Sequence, residues 1–344
     1  MTPTIDIHAF LKKYHRVALD GINEIIPDKE PRKYLYDQIA EYPNRGGKGF
    51  RPSLCIATCK SFGGKQEDAK NSAVALELFH NAFLVHDDVE DNSDFRRGKP
   101  TLNRINNNAI AVNLGDAMNV LSFTPLMKNR RKLGTKLTWK IMEEVNDMIC
   151  ETVEGQALEL GWRKDNICNL SDEDYFKMIL KKTCWYTCIY PIRIGALIAT
   201  KGNIDANIFN RFGYYMGIAF QIQDDVLNLI ADQKKYGKEI KGDIIEGKRT
   251  LMLIHLLNSC SEAEFEMIKT YLGKQQNRQT SIQQATDIYK LMLKYGSIEY
   301  ARAISKNMAG AALKEFYSIF SELPHTEDKD FLEQLIIYMI NREY

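Results

Sequence analysis

Several familiar signatures are missing from this chain. It has no GxxxxGK[ST] segment and no GxGxxG, so P-loop and dinucleotide-binding readings lack support. No apolar stretch reaches the ~18–20 residues that a membrane span needs. The final NREY carries no prenylation box. The opening MTPTIDIHAFLKKYHRVALD has a helical period, but one arginine and two acids make a poor transit peptide, and no secretory apolar core is present. Neither sign of charge dominates: 46 basic and 45 acidic side chains leave +1. Bulk electrostatics therefore give no case for nucleic-acid binding, and any anion recognition must be local. The seven cysteines form no CxxC and are odd in number, with no histidines at zinc spacing, which points to reduced thiols used in packing. Together these absences lead us to expect a soluble, cytoplasmic protein with no stable membrane span.

Proline is scarce and unevenly placed. None of the nine lies between Pro52 and Pro100, and none between Pro191 and Pro324. Proline inside a helix costs ~3 kcal/mol, so such spans suit long helices. Apolar spacing agrees, with Val74, Leu78, Phe79, Ala82 and Val85 recurring at three- and four-residue steps. The same period runs through FNRFGYYMGIAFQIQDDVLNLI and LMLIHLLN, while strand-like alternation is scarce. Loop signals fall at residues 43–52, 61–65, 92–100, 129–134 and 236–247, with no long linker between halves. The expectation is an all-α chain, one domain over residues 1–344.

What the sequence does have is acid at helix ends. In FLVHDDVEDNSDFRRGKPT, Asp87 and Asp91 share a helix face and Asp88 lies about 100° round the axis. Carboxylates crowded at a C-terminal helix end repel one another and the dipole, and a divalent cation cancels that cost. Oxygen-only ligands favour Mg²⁺ or Mn²⁺. Alone, such a run reads equally well as a solvated helix end. A second pair, Asp224–Asp225, closes another apolar segment 137 residues later, which a solvated face explains poorly. GGKGFRP adds glycines that let backbone approach a ligand, with charge from Lys48 and Arg51. Lys181, Lys182 and Thr183, and then Lys238 and Lys248, supply further donors. Two acidic clusters, many cations and an apolar space suggest a substrate with a diphosphate head and a hydrocarbon tail.

With GGKGFRP, ELFHNAFLVHDDVED…RRGKPT, GQALEL, LKKT, FQIQDD and YGKEIKGDIIEGKRT in this order, the chain resembles the polyprenyl synthetase family, the trans-type (head-to-tail) isoprenyl diphosphate synthases. The matched motifs run from Gly46 to Thr250. The resemblance implies the isoprenoid synthase fold, a single large helical bundle around a central apolar cavity, and a homodimer. It implies that Asp87, Asp88, Asp91, Asp224 and Asp225 hold a cluster of about three Mg²⁺ ions, for which Mn²⁺ can stand in, on an allylic diphosphate. By the same resemblance Lys48, Arg51, His80 and Arg97 serve isopentenyl diphosphate. Arg96, Lys182, Thr183, Gln221, Lys238 and Lys248 fall around the allylic diphosphate. His80 taken alone reads as a satisfied helix histidine; its place seven residues before Asp87 gives it a role. The implied reaction ionises the allylic C–O bond, joins isopentenyl diphosphate to the cation, and loses a proton.

One position departs from the family pattern. The second motif reads DDVLN, with Asn228 where a third aspartate is usual, which leaves its ligand role open and admits a divergent member that cyclises its substrate. In this family the tail grows down the helix that carries the first aspartates, so Ala82 and Phe83, five and four residues before Asp87, are the expected floor. The small Ala82 favours a C20 product, geranylgeranyl diphosphate, over C15, farnesyl diphosphate, and Phe83 argues against very long chains. A terpene cyclase on the same fold and a non-catalytic regulatory subunit are the rival readings. GGKGFRP and His80 oppose the first, and the two retained acidic motifs the second.

Overall fold

A computed structural model describes residues 5–231, 240–273 and 278–342; Lys238, expected near the allylic diphosphate, lies outside the described residues. The helices of eight residues or more are α1 (Ile7–Ile25), α2 (Phe50–Ser61), α3 (Gln66–Glu90), α4 (Asn108–Lys128), α5 (Thr135–Lys164), α6 (Asp172–Ile179), α7 (Tyr190–Ala199), α8 (Asn210–Ile230), α9 (Leu251–Ser259), α10 (Glu262–Leu272), α11 (Arg278–Lys294), α12 (Ser297–Phe320) and α13 (Glu327–Asn341). The all-α expectation holds. Among the described residues the strands are two-residue pieces, Phe95–Arg96 against Lys99–Pro100, paired antiparallel. No described helix is long and apolar enough to cross a membrane.

Local chemistry sets the boundaries. Asp6, Thr250 and Thr326 accept from the backbone to open α1, α9 and α13, while Ser171 with Asp174 and Ser261 with Glu264 form capping boxes for α6 and α10. Two expectations shift. The loop at 129–134 contains a helical turn, Arg130–Leu133, and α4 carries Pro125 one turn from its end. Pro52 and Pro191 sit in first turns, where a missing N–H costs little.

Helix α3 is central. It packs on α4, α2 and α1, and residues on most of its circumference are buried. Helix α8 packs on α12 and on Leu180–Ile189, a π-helical stretch that joins α6 to α7. Helix α3 ends in its acids as expected, whereas α8 runs on past Asp224 and Asp225 to Ile230, so the second pair does not close its helix. The main core draws on α1, α2, α3, α7, α8, α12 and α13, and includes the buried thiols of Cys55, Cys59 and Cys188. Between α3, α5, the π stretch and α8 lies a cavity of about 770 Å³.

Candidate active site

The end of α3 carries carboxylates that the helix dipole opposes, and cations from four other segments meet them. Asp87 lines the cavity, accepting from Arg96 Nη2 at 3.0 Å with Lys182 Nζ at 3.7 Å. Asp88 is fully buried and does not line it. Its Oδ2 accepts from the Tyr42 hydroxyl at 2.6 Å and its Oδ1 from Arg96 Nε at 2.9 Å. Asp91 is buried too, 2.5 Å from Arg163 Nη1 and 2.6 Å from Lys248 Nζ. Burial would raise its carboxyl, but Lys248, with Lys182 and Arg163, overcomes burial and Asp87 and holds it below the ordinary value. Lys248 also lies 2.8 Å from Glu246, and Lys182 donates to Glu159 at 2.6 Å. The two strands explain why adjacent arginines diverge. Arg96 points back to Asp87 and Asp88, while Arg97, left-handed at φ 54° in the turn, donates to Tyr42 O at 2.7 Å and Asn81 Oδ1 at 3.3 Å.

The second motif is arranged differently. Asp224 lines the cavity, half exposed, and accepts from Arg342 Nη2 at 3.0 Å. Asp225 also lines it. Tyr175 and Gln221 donate to it at 2.8 and 2.7 Å, and Thr183 donates to Gln221 at 3.0 Å. Burial pushes the Asp225 carboxyl up to about 7, against the lowering effect of these two donors. Asn228 is buried and does not line the cavity.

The same cavity carries a second set of cations. Gly49 takes φ 62° beside His15, whose Cβ would lie 2.4 Å from any Cβ added there, so the loop can pass only as glycine. It presents Lys48 and opens α2 at Arg51, whose Nη2 donates to Thr187 at 2.7 Å and whose guanidinium lies over the Tyr186 ring. Glu77, buried in α3, lies 3.5 Å from His15 and is held below its usual range by His15, Arg97 and Arg51 despite burial. His80 keeps a buried Nδ1 without a hydrogen-bond partner, and burial, then Arg51 and Arg97, pushes its imidazole well below the ordinary value. It is therefore a neutral ring with polar capacity in a cavity of cations.

The apolar wall runs from Phe83 and Leu84 to Ile149, Thr152, Val153, Gln156 and Leu160, which recur along one face of α5. Phe83 faces the cavity, stacked on Phe79 and edge-on to Tyr186. Ala82 does not. It is buried in the α3–α4 contact with Leu114 and Met118. The glycine of GQALEL has a packing reason, because a Cβ on Gly155 would lie 2.2 Å from the Lys182 backbone nitrogen. Helix α5 thus presses on the π stretch at the point where it delivers Lys182, Thr183 and Tyr186 to the cavity, and such wide turns recur at functional sites.

Lys48, Arg51, His80, Phe83, Asp87, Arg96, Arg97, Lys182, Thr183, Gln221, Asp224, Asp225 and Lys248 line this one cavity. Ala82, Asp88 and Asp91 do not. Sequence reading missed Tyr42, Glu77, Arg163, Tyr175, Tyr186 and Arg342, the side chains that hold or face the named ones. Glu159 stood inside GQALEL and could have been read from it. Among the described residues no three acidic, histidine or cysteine groups converge as a ready metal cluster. A hard cation nevertheless suits Asp87, Asp224 and Asp225, oxygen donors on one cavity. Asp225 is held by the neutral donors Tyr175 and Gln221, and Mg²⁺ typically takes one or two carboxylates, completed by water and substrate phosphate.

The polyprenyl synthetase family model matches residues 32–292. A short chain isoprenyl diphosphate synthase of Methanothermobacter thermautotrophicus is 29% identical, over 99% of this chain and all of that one. A geranylgeranyl diphosphate synthase of Sulfolobus acidocaldarius is 31% identical, over 91% of this chain and 94% of its own. The crystal structure of the geranylgeranyl pyrophosphate synthetase from Pyrococcus horikoshii, 33% identical, superposes with a TM-score of 0.84 over 98% of this chain and 99% of that one. The bundle, the two helices that carry the aspartates and these matches agree: the chain belongs to the polyprenyl synthetase family, whose members use divalent metal ions.

Proposed function

We propose that this chain is a Mg²⁺-dependent trans-prenyltransferase that condenses isopentenyl diphosphate with an allylic diphosphate and releases a short-chain product, geranylgeranyl diphosphate. One observation carries it. A single cavity is lined by carboxylates of both acidic motifs, by a second set of cations in Lys48, Arg51 and Arg97, and by an apolar wall. A diphosphate head at each polar face would place two tails in contact.

The chain's own residues then divide the work. Lys48, Arg51 and Arg97 seat the second diphosphate, and neutral His80 offers it a hydrogen bond without a further charge. Lys182, raised by Glu159 and Asp87 against burial, stays cationic beside the allylic head. Mg²⁺ on Asp87, Asp224 and Asp225 would supply charge stabilisation for the departing diphosphate. The Tyr186 ring, under the Arg51 guanidinium and edge-on to Phe83, separates the cationic pocket from the apolar wall. Leu84, Ile149 and Leu160 keep water from the allylic cation. Attack by the alkene and loss of a proton leave a diphosphate five carbons longer. A cyclase has no use for the pocket of Lys48, Arg51 and Arg97.

Purified protein incubated with Mg²⁺, isopentenyl diphosphate and each allylic primer tests the reading. Longer diphosphates support it, hydrocarbons formed without isopentenyl diphosphate would mean a cyclase, and no product a silent subunit. A homodimer suits the exposed apolar residues Val112, Val120 and Met127 on α4 and Trp139 on α5, and sedimentation equilibrium checks it.

Lys48 adds a pH dependence. Burial, and next Arg342, brings its ammonium down to about 8, against the pull of Asp224. In the free enzyme it is cationic below that pH and neutral above. kcat/KM for isopentenyl diphosphate should therefore fall as pH rises through about 8, and Lys48→Arg should remove that limb. A parent profile flat from pH 7 to 9 would count against Lys48 as a binding cation.

A further inference from the structure

Asn228 stands where a third acid would complete the second motif, yet it points its carbonyl elsewhere. The side chain is 3% exposed and its Oδ1 accepts from the Asp243 backbone N–H at 3.1 Å. Its own backbone oxygen accepts from Lys241 N at 2.7 Å. Both bonds fall on one turn, in which Lys241 adopts φ 64°, a conformation that residues other than glycine take at a cost and keep only when held. The turn leads to the cavity. Asp243 lines it, the Asp243 backbone oxygen accepts from Lys248 N at 2.8 Å, and Lys248 Nζ reaches Asp91 at 2.6 Å. A continuous path thus runs from the last position of the second acidic motif to the last aspartate of the first.

We propose that Asn228 is a positioning residue rather than a metal ligand: its amide holds the Lys241–Asp243 turn and so fixes where Asp243 and Lys248 stand at the cavity rim. The oxygen that a cation would need is the one given to the Asp243 N–H. An amide also suits the place better than a carboxylate. Asp225 is already buried one turn back, and a further buried negative charge would add repulsion, whereas asparagine accepts the same bond without charge.

Amide hydrogen exchange in the metal-free protein tests this, followed over residues 240–248, with α8 core amides as the folding control. In Asn228→Ala, exchange at Asp243 should accelerate roughly fivefold to tenfold, the effect of losing one neutral hydrogen bond, with the α8 core unchanged. Asn228→Asp keeps an acceptor and should keep the protection. Calorimetry with Mg²⁺ and inorganic diphosphate should give the Asn228→Asp protein an affinity close to the parent's. Unchanged exchange in Asn228→Ala overturns the proposal, as does an Asn228→Asp protein that binds the Mg²⁺–diphosphate pair tenfold tighter. The bearing on catalysis rests on the condensation reading, but exchange in metal-free protein does not: an inactive chain with a protected Asp243 amide would sink that reading and leave this one.

Discussion

Asp87→Ala should lower kcat/KM for condensation by about 10³-fold or more, roughly 4 kcal/mol of transition-state stabilisation. The geometry gives three reasons. Asp87 is the first-motif aspartate that lines the cavity, so it is the one placed to reach a cation on a bound diphosphate. It also sits between Arg96 at 3.0 Å and Lys182 at 3.7 Å, so its removal takes away the one carboxylate they share and leaves each drawn to its other acid, Asp88 for Arg96 and Glu159 for Lys182. Finally, charge stabilisation of a leaving group acts mainly in the transition state, so the loss should fall on kcat more than on KM. Asp87→Asn, which keeps the shape and loses the charge, should be nearly as impaired. A variant with half the parent rate would refute the assignment.

Asp88→Asn provides the contrast. Its carboxylate is fully buried between Tyr42 and Arg96, so Asp88→Asn leaves the buried Arg96 with Asp87 as its remaining carboxylate, a loss of up to ~3 kcal/mol in stability. Thermal unfolding should drop markedly in Asp88→Asn and little in Asp87→Asn. If the two variants lose stability equally, the division between a cavity-facing and a structural aspartate fails.

That division was not legible in the sequence. Helical spacing placed Asp87 and Asp91 on one face and Asp88 aside, but spacing does not say which cations lie across from them. Asp91 shares the face of Asp87 and is nevertheless taken up by Arg163 and Lys248, from segments 72 and 157 residues further along the chain. The all-α class was readable because apolar period and proline placement are local properties. The motifs brought thirteen expected side chains to one cavity, some from loops, such as Lys48 and Lys248, and others from within helices, such as His80 and Gln221, whose facing follows from helical spacing. What stayed hidden depends on contact at long range, such as Tyr175 on Asp225 and His15 against Glu77. Ala82 is the instructive case. Adjacent positions on a helix are ~100° apart, so when Phe83 turns to the cavity Ala82 turns to α4, and its small size opens the wall only indirectly.

With Ala82 turned away, we propose that product length rests on Phe83: Phe83→Ala should lengthen the chain by about one isoprene unit, since removing the phenyl ring frees about the volume that five carbons need. The ring lies between Tyr186, edge-on at 5.6 Å, and Phe79, stacked at 6.4 Å. Its removal opens a space that Phe79 closes in turn, because Phe79 is itself buried and braced edge-on by Phe123 at 5.6 Å. Growth should stop again there rather than run on, and Phe79→Ala added to Phe83→Ala should lengthen the product further. Because Phe83 is only partly buried, the single variant should lose less than the ~3–5 kcal/mol typical of a buried Phe→Ala change, and thermal unfolding measured alongside separates a softened fold from a deeper cavity. Sizing the products of the single variant decides the matter. A longer product assigns the stop to the aromatic stack on α3, whereas an unchanged one removes Phe83 and moves the stop to the face of α5 that carries Ile149 and Val153.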